Sequence, residues 1–148
     1  LQSISIPDSV TSIGSYAFSY CKSLYSITVS EGNPKYHSDN NCLIETESKT
    51  LLLGCKNSVI PSDGSVTIIG ERAFEYCESQ PSINIPDSVT NIRWIAFAGC
   101  SSLSSITIPN GVTTIEEYAF ENCESLTSIT IPASVTNINF SAFKKCVS

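Results

Sequence analysis

Residues 101–123, SSLSSITIPNGVTTIEEYAFENC, and the following 124–146, ESLTSITIPASVTNINFSAFKKC, decide the fold of this chain. Laid one over the other they agree at most apolar positions, with a period of 23 residues. Cys77, Cys100, Cys123 and Cys146 keep that spacing, as do Pro86, Pro109 and Pro132, and Val89, Val112 and Val135. The phrase is already present at the start, as Ile6-Pro7, Val10, Ile13, Ala17-Phe18 and Cys21. Cys21 and Cys77 stand 56 residues apart, one period and one longer unit of 33, so the array is interrupted rather than lost. A period in the twenties is the mark of stacked repeats.

Each unit contains Leu-x-x-Ile-x-Ile, for example Leu103, Ile106 and Ile108. Its alternation is that of a strand with one buried face, and Pro109 ends it. Val112 and Ile115 follow, and then Ala119, Phe120 and Cys123 at i, i+1, i+4, a spacing that predicts one short helical turn facing inward. Together with Leu126 a unit offers about nine inward apolar groups. These cannot offset the ordering of a whole unit by themselves, so the units need each other. The fold expected is an α/β solenoid of leucine-rich repeat type with about six coils. It should be right-handed, with a parallel concave β-sheet and short helical or 3-10 turns on the convex side.

The copies IPDSVTSIGSYAFSYC and IPNGVTTIEEYAFENC also resemble the BspA-like leucine-rich repeats, or Treponema pallidum type, of bacterial cell-surface antigens and some parasitic protists. The likeness covers nearly the whole chain and rests on five copies of Ala-Phe-x-x-Cys. GNPKYHSDNNCLIETESKTLLLGC is similar to an enlarged repeat of that family. The resemblance implies an extracellular or surface-attached bacterial array, often linked to adhesion or host contact, and no enzyme.

By its own residues the enlarged unit reads as a hairpin. Leu43-Ile44 and Leu51–Leu53 flank the polar Glu45–Thr50. Two placements are open: an enlarged coil with a protruding or laterally added hairpin within 31–60, or Leu51–Leu53 joining the main sheet 24 residues after Ile27–Val29. Residues 1–148 thus form a single repeat domain. It begins inside a repeat at Leu1 and stops just after Cys146 without a polar cap, which reads as a piece of a longer surface protein.

Composition narrows the function. Charged residues are 15% of the 148, while 26 Ser and 12 Thr supply polarity, which fits neither disorder nor a coiled coil. Eight basic residues and a net charge of −6 leave nothing to follow a phosphate backbone, so nucleic acid is not an expected partner. No apolar run reaches the ~20 residues of a membrane span, so insertion of this segment is not expected, and no signal-like stretch opens it.

The single histidine, His37, lies beside Asp39 among abundant serines, which is chance-level support for a triad. Neither a catalytic residue nor a cofactor is expected. The seven cysteines include no Cys-x-x-Cys, and Glu31, Asp39 and Asn40 match no calcium loop, so no metal is expected either. Five cysteines share one register and read as buried free thiols. Cys42 and Cys55 are the one pair considered for a bridge.

Two surfaces could bind. Ser105, Thr107, Ser128, Thr130 and Asn84 alternate with buried Ile on the concave face, where they also read as a self-satisfying Ser/Thr ladder. On the convex side Trp94 and Phe140 stand where other coils have Ser15, Glu71 and Glu117, and Tyr16 and Tyr118 hold the next register. These aromatics read first as packing between helical turns; if the module engages a macromolecule, they are the expected anchors, at a surface rather than a pocket, because a filled solenoid leaves no cavity. Gln80-Pro81 puts an amide at a core position and removes a backbone donor. The reading is a non-enzymatic surface interaction module for protein binding, adhesion or scaffolding, with recognition of a cell-surface polysaccharide as the alternative.

Overall fold

In the computed structural model, which describes residues 1–14 and 16–147, the chain is a β-solenoid of about six turns. Each regular unit has three sides: a strand at the Ser-Ile-Thr phrase, a second short strand at the Val-x-x-Ile phrase, and a run of tight turns through Ala-Phe. On the first side β1 (Ser3–Ile6) pairs in parallel with β2 (Ser26–Val29), and β8 (Ser105–Thr107) with β10 (Ser128–Thr130). Among the described residues these two ladders are extended only by the bridge from Ser82 to Ser105, next to the donor-less Pro81, and they do not join into one sheet.

The longest sheet instead runs through the second side. β6 (Ile68–Ile69), β7 (Asn91–Ile92), β9 (Thr114–Ile115) and β11 (Asn137–Ile138) pair in parallel, one per coil. The sequence reading gave the sheet to the Ile-Thr-Ile strand alone. The Val-x-x-Ile segment is as extended, and there every coil from the third onward supplies a backbone donor and acceptor.

The helical turns expected on the third side are absent: no described residue is helical, and the fold class is corrected accordingly. The cause lies in the backbone donors. In residues 70–77 the N–H groups of Ala73, Glu75 and Cys77 bond three residues back, to Gly70, Arg72 and Phe74. Those of Arg72, Phe74 and Tyr76 bond forward, to the carbonyls of Trp94, Ala96 and Ala98 in the next coil. Every second donor is therefore spent between coils, and an i→i−4 ladder cannot form. Positive φ at Arg72 (58°) and Tyr76 (58°), repeated at Tyr118 (57°) and Asn122 (58°), turns the chain at each corner. Ala119, Phe120 and Cys123 still reach full burial, by consecutive turns.

Inside the array the aromatic rings of Phe74, Phe97, Phe120 and Phe143 stack at 5.3, 5.2 and 5.4 Å. Beside them the Cys100, Cys123 and Cys146 thiols donate to the carbonyls of Phe74, Phe97 and Phe120 at 3.2, 3.3 and 3.2 Å. The cysteines are free, Cys42 and Cys55 among them. Burial pushes the thiol pKa of Cys42, Cys77 and Cys123 up to about 12.

The enlarged unit is an antiparallel meander of β3 (Tyr36–Asp39), β4 (Cys42–Glu45) and β5 (Thr50–Leu53). β5 continues in parallel onto β6, with Thr50 opposite Ile68 and Leu51 opposite Ile69. Leu51–Leu53 thus enters a sheet, but the Val-x-x-Ile one and not the ladder of Ile27–Val29. The meander is apolar on both faces. Cys42 and Ile44 face the core of the array, whereas Leu43 and Tyr36 face a separate N-terminal core with Ile6, Leu24 and Ile27. A register slip places Leu43 opposite Leu53 and Ile44 opposite Leu51, and this bulge at Leu52 sends Leu51 to one core and Leu53 to the other.

Gln80 is buried, and its Nε2 donates to the carbonyls of Cys55 (2.8 Å) and Ser58 (3.2 Å). The amide satisfies groups that the irregular unit leaves without a ladder partner.

Candidate functional site

The turn-side aromatics separate into two groups. In the first, the Arg72 guanidinium lies between the rings of Tyr16, 4.8 Å from its centroid, and Trp94, 4.5 Å from its centroid. Trp94 is half-buried, and its backbone N–H donates to Glu116 Oε2 at 2.9 Å, so it is less open than the sequence suggested. Arg72 Nη1 also donates to Glu75 Oε1 at 2.5 Å. Burial works against the Arg72 charge, but the hydrogen bond and proximity of Glu75 outweigh it and leave its pKa raised. In the second group Phe140, 68% exposed, meets Tyr118 edge-on at 5.7 Å, with Lys144 over the Tyr118 ring. Ser15, whose register Trp94 and Phe140 share, lies outside the described residues.

On the strand side Asn84, Ser105, Thr107, Ser128 and Thr130 are all exposed, and their side chains make no hydrogen bond to another described residue. The hydroxyls that tie coils together sit mostly elsewhere and donate to backbone carbonyls one coil back: Ser88 to Val66, Ser104 to Pro81, Thr127 to Ser104, Ser134 to Val112. A hydroxyl ladder along the strand face is therefore not what satisfies these residues. His37 Nδ1 lies 2.8 Å from Thr46 Oγ1 and so has a neighbour other than serine or carboxylate. Among the described residues no group of three His, Cys, Asp or Glu could hold a metal ion, and no helix could cross a membrane.

A feature that the sequence reading missed is a cleft of about 320 Å³ on the turn side. Tyr16, Phe18 and Tyr20 form one wall, Gly70, Arg72 and Glu75 the other, and Leu52 and Leu53 the floor. The expectation of a pocket-free solenoid fails here for a local reason. The enlarged unit crosses the turn side in extended form and leaves a notch between the first and third turns. Its sequence signal was the absence of Ala-Phe-x-x-Cys between Cys21 and Ala73, together with a cation, Arg72, in the register of Tyr16, Ile95, Tyr118 and Ser141. Across the notch Tyr20 stacks on Tyr76 at 5.1 Å and Lys22 pairs with Glu78 at 2.5 Å, which holds the first coil against the array.

With this geometry the comparisons agree. The repeat model described as the BspA type leucine rich repeat region matches residues 1–51 and 49–148, in six copies. The chain belongs to the BspA-type leucine-rich repeat family. A leucine-rich cell-surface protein from Faecalibacterium prausnitzii A2-165 is 34% identical over 99% of this chain and 46% of its own, with a TM-score of 0.71. The pneumococcal vaccine antigen PcpA has a TM-score of 0.80 over 93% of this chain and 35% of its own; at 23% identity it bears on the fold alone. The T. pallidum leucine-rich repeat protein is 26% identical over 98% of this chain and 63% of its own, with a TM-score of 0.63. The chain spans less than half the length of the first two. No curated protein matches it.

Proposed function

We propose that this chain is a non-catalytic interaction module of a bacterial extracellular or cell-surface protein. It belongs to a single repeat domain that winds right-handed and forms part of a longer chain, and it engages a macromolecule through its turn side. The observation that carries the reading is the Tyr16–Arg72–Trp94 stack, in which two aromatics and an arginine, the residue types that dominate interface energies, meet at the mouth of a cleft. Kinship to a cell-surface protein of Faecalibacterium prausnitzii supports the location. On the strand face Asn84, Ser105, Thr107, Ser128 and Thr130 offer short polar side chains in place of such a stack.

The test is binding of labelled protein to epithelial cells and to a glycan array. Trp94→Ala should weaken cell binding by about 30-fold, corresponding to about 2 kcal/mol, and Thr107→Ala should leave it unchanged. The reverse ranking in two equally folded variants would move the contact to the strand face. Saturable signal on glycans alone would favour the polysaccharide reading.

A further inference from the structure

Between neighbouring regular coils the turn side carries three backbone hydrogen bonds: Ile95, Phe97 and Gly99 donate to Glu117, Ala119 and Glu121, and Tyr118, Phe120 and Asn122 to Phe140, Ala142 and Lys144. The enlarged unit makes one such bond to the third coil, from Gly54 N–H to the Ala73 carbonyl at 2.7 Å. The walls of the cleft therefore keep the unused halves of two ladders. On the first coil the N–H groups of Phe18 and Tyr20, which stand in the register of Phe74 and Tyr76, have no partner among the described residues. On the third coil the carbonyls of Glu71 and Glu75, in the register of Trp94 and Ala98, have none either.

Two buried side-chain atoms of the same wall are also unsatisfied: Arg72 Nε, a donor, and Glu75 Oε2, an acceptor on a side chain only 7% exposed. Both atoms are closed off from solvent, so the pairing open to a ligand is that of the backbone groups of the two walls. Ala17 is exposed where Ala73, Ala96 and Ala119 are fully buried, so the first turn lacks the neighbour that covers the others.

A polypeptide presents one donor and one acceptor per residue, which is what the two walls lack on opposite sides. Glu71 and Glu75 balance Arg72 and Arg93 around the cleft, so no net charge selects an ionic ligand. The volume stands at the lower end of the roughly 300–1,000 Å³ typical of ligand sites, enough for a short segment.

The geometry points to this cleft as a binding site for a short, uncharged peptide segment that completes the interrupted turn ladder. The segment accepts from Phe18 and Tyr20 and donates to Glu71 and Glu75, an addition of backbone to an unpaired backbone edge. The inference refines the interaction-module reading by naming the partner chemistry.

The probe is the acetylated and amidated hexapeptide IAFAGS, the chain's own uncharged turn at 95–100 with Ser in place of Cys100. Titrated into the intact 148-residue chain and followed by amide NMR, it should shift Phe18, Tyr20 and Glu75 and slow hydrogen exchange at the Phe18 and Tyr20 amides at least tenfold. The all-D peptide should do neither. Leu52→Trp, which fills the floor, should weaken the L-peptide at least tenfold; if that variant misfolds, the D-peptide comparison decides alone. Equal shifts with the D-peptide, no shift at millimolar L-peptide, or protection of those amides by cellohexaose but not by the peptide would each overturn the assignment. Cell binding that persists and still depends on Trp94 would then leave the interaction module intact and remove only the peptide site.

Discussion

Phe97 and Phe18 occupy the same place in the repeat and have different surroundings. Phe97 is fully buried between the rings of Phe74 and Phe120, and its coil is bonded to both neighbours. Phe18 is half-buried and stacks on no ring among the described residues. The same contrast holds for the thiols: Cys100 donates to the previous coil at 3.2 Å, whereas Cys21 donates within its own turn, to Ser19 at 4.0 Å. Among the described residues the array core gathers 26 buried side chains and the N-terminal core seven, divided by the meander. A residue of a solenoid is thus only as well packed as the unit stacked on it. An irregular unit passes its irregularity to the coil before it.

The thiol ladder gives the largest expected effect. Burial raises the thiol pKa of Cys77 and Cys123 from 9.0 to about 12, and that of Cys100 well above 9.0. The native state keeps these thiols neutral, so its stability is complete below about pH 9 and falls as pH rises toward 12, when unfolded thiols ionise and folded ones do not. Each contributes roughly 1.4 kcal/mol of loss per pH unit in that window. Urea midpoints measured from pH 8 to 11 should drop steeply, and less steeply in Cys100→Ala. A flat profile would mean that the thiols are not buried as described.

Next, Phe97→Ala should cost about 3–5 kcal/mol by loss of a stacked core ring, and Phe18→Ala about 1 kcal/mol. Equal costs in chemical denaturation would break the contrast between the two regions.

Gly54→Ala comes third. A Cβ there would lie 2.1 Å from the Phe74 ring, so the meander must shift, at about 1–3 kcal/mol. Hydrogen exchange should accelerate in residues 1–55 and stay unchanged from Phe97 onward; uniform acceleration would show that the two cores open as one.

The smallest effect is expected on the exposed strand face, where Thr107→Ala should change stability by no more than about 0.5 kcal/mol in the same denaturation assay. A larger loss would mean that this face contributes packing absent from the contacts of Thr107.

Much of this was legible in the sequence because a repeat reports itself. The 23-residue period, the strand at Ser-Ile-Thr and the burial of Ala119, Phe120 and Cys123 follow from spacing, which fixes the side chains that share a face, and the family likeness from the residues of the Ala-Phe-x-x-Cys phrase. Tertiary structure decided what depends on neighbours. Whether the 70–77 segment is helical turned on where alternate N–H groups find acceptors, and those acceptors lie one coil away, at Trp94, Ala96 and Ala98. Whether Leu51 and Leu53 face one core or two turned on a bulge at Leu52 that no alternation announces. The cleft exists because an extended crossing lies between two turned ones, an arrangement that appears only when three units stand side by side. A linear pattern specifies what each unit can bury, and the donors, acceptors and gaps between units arise only on stacking, because hydrogen bonds and cavities belong to pairs of segments.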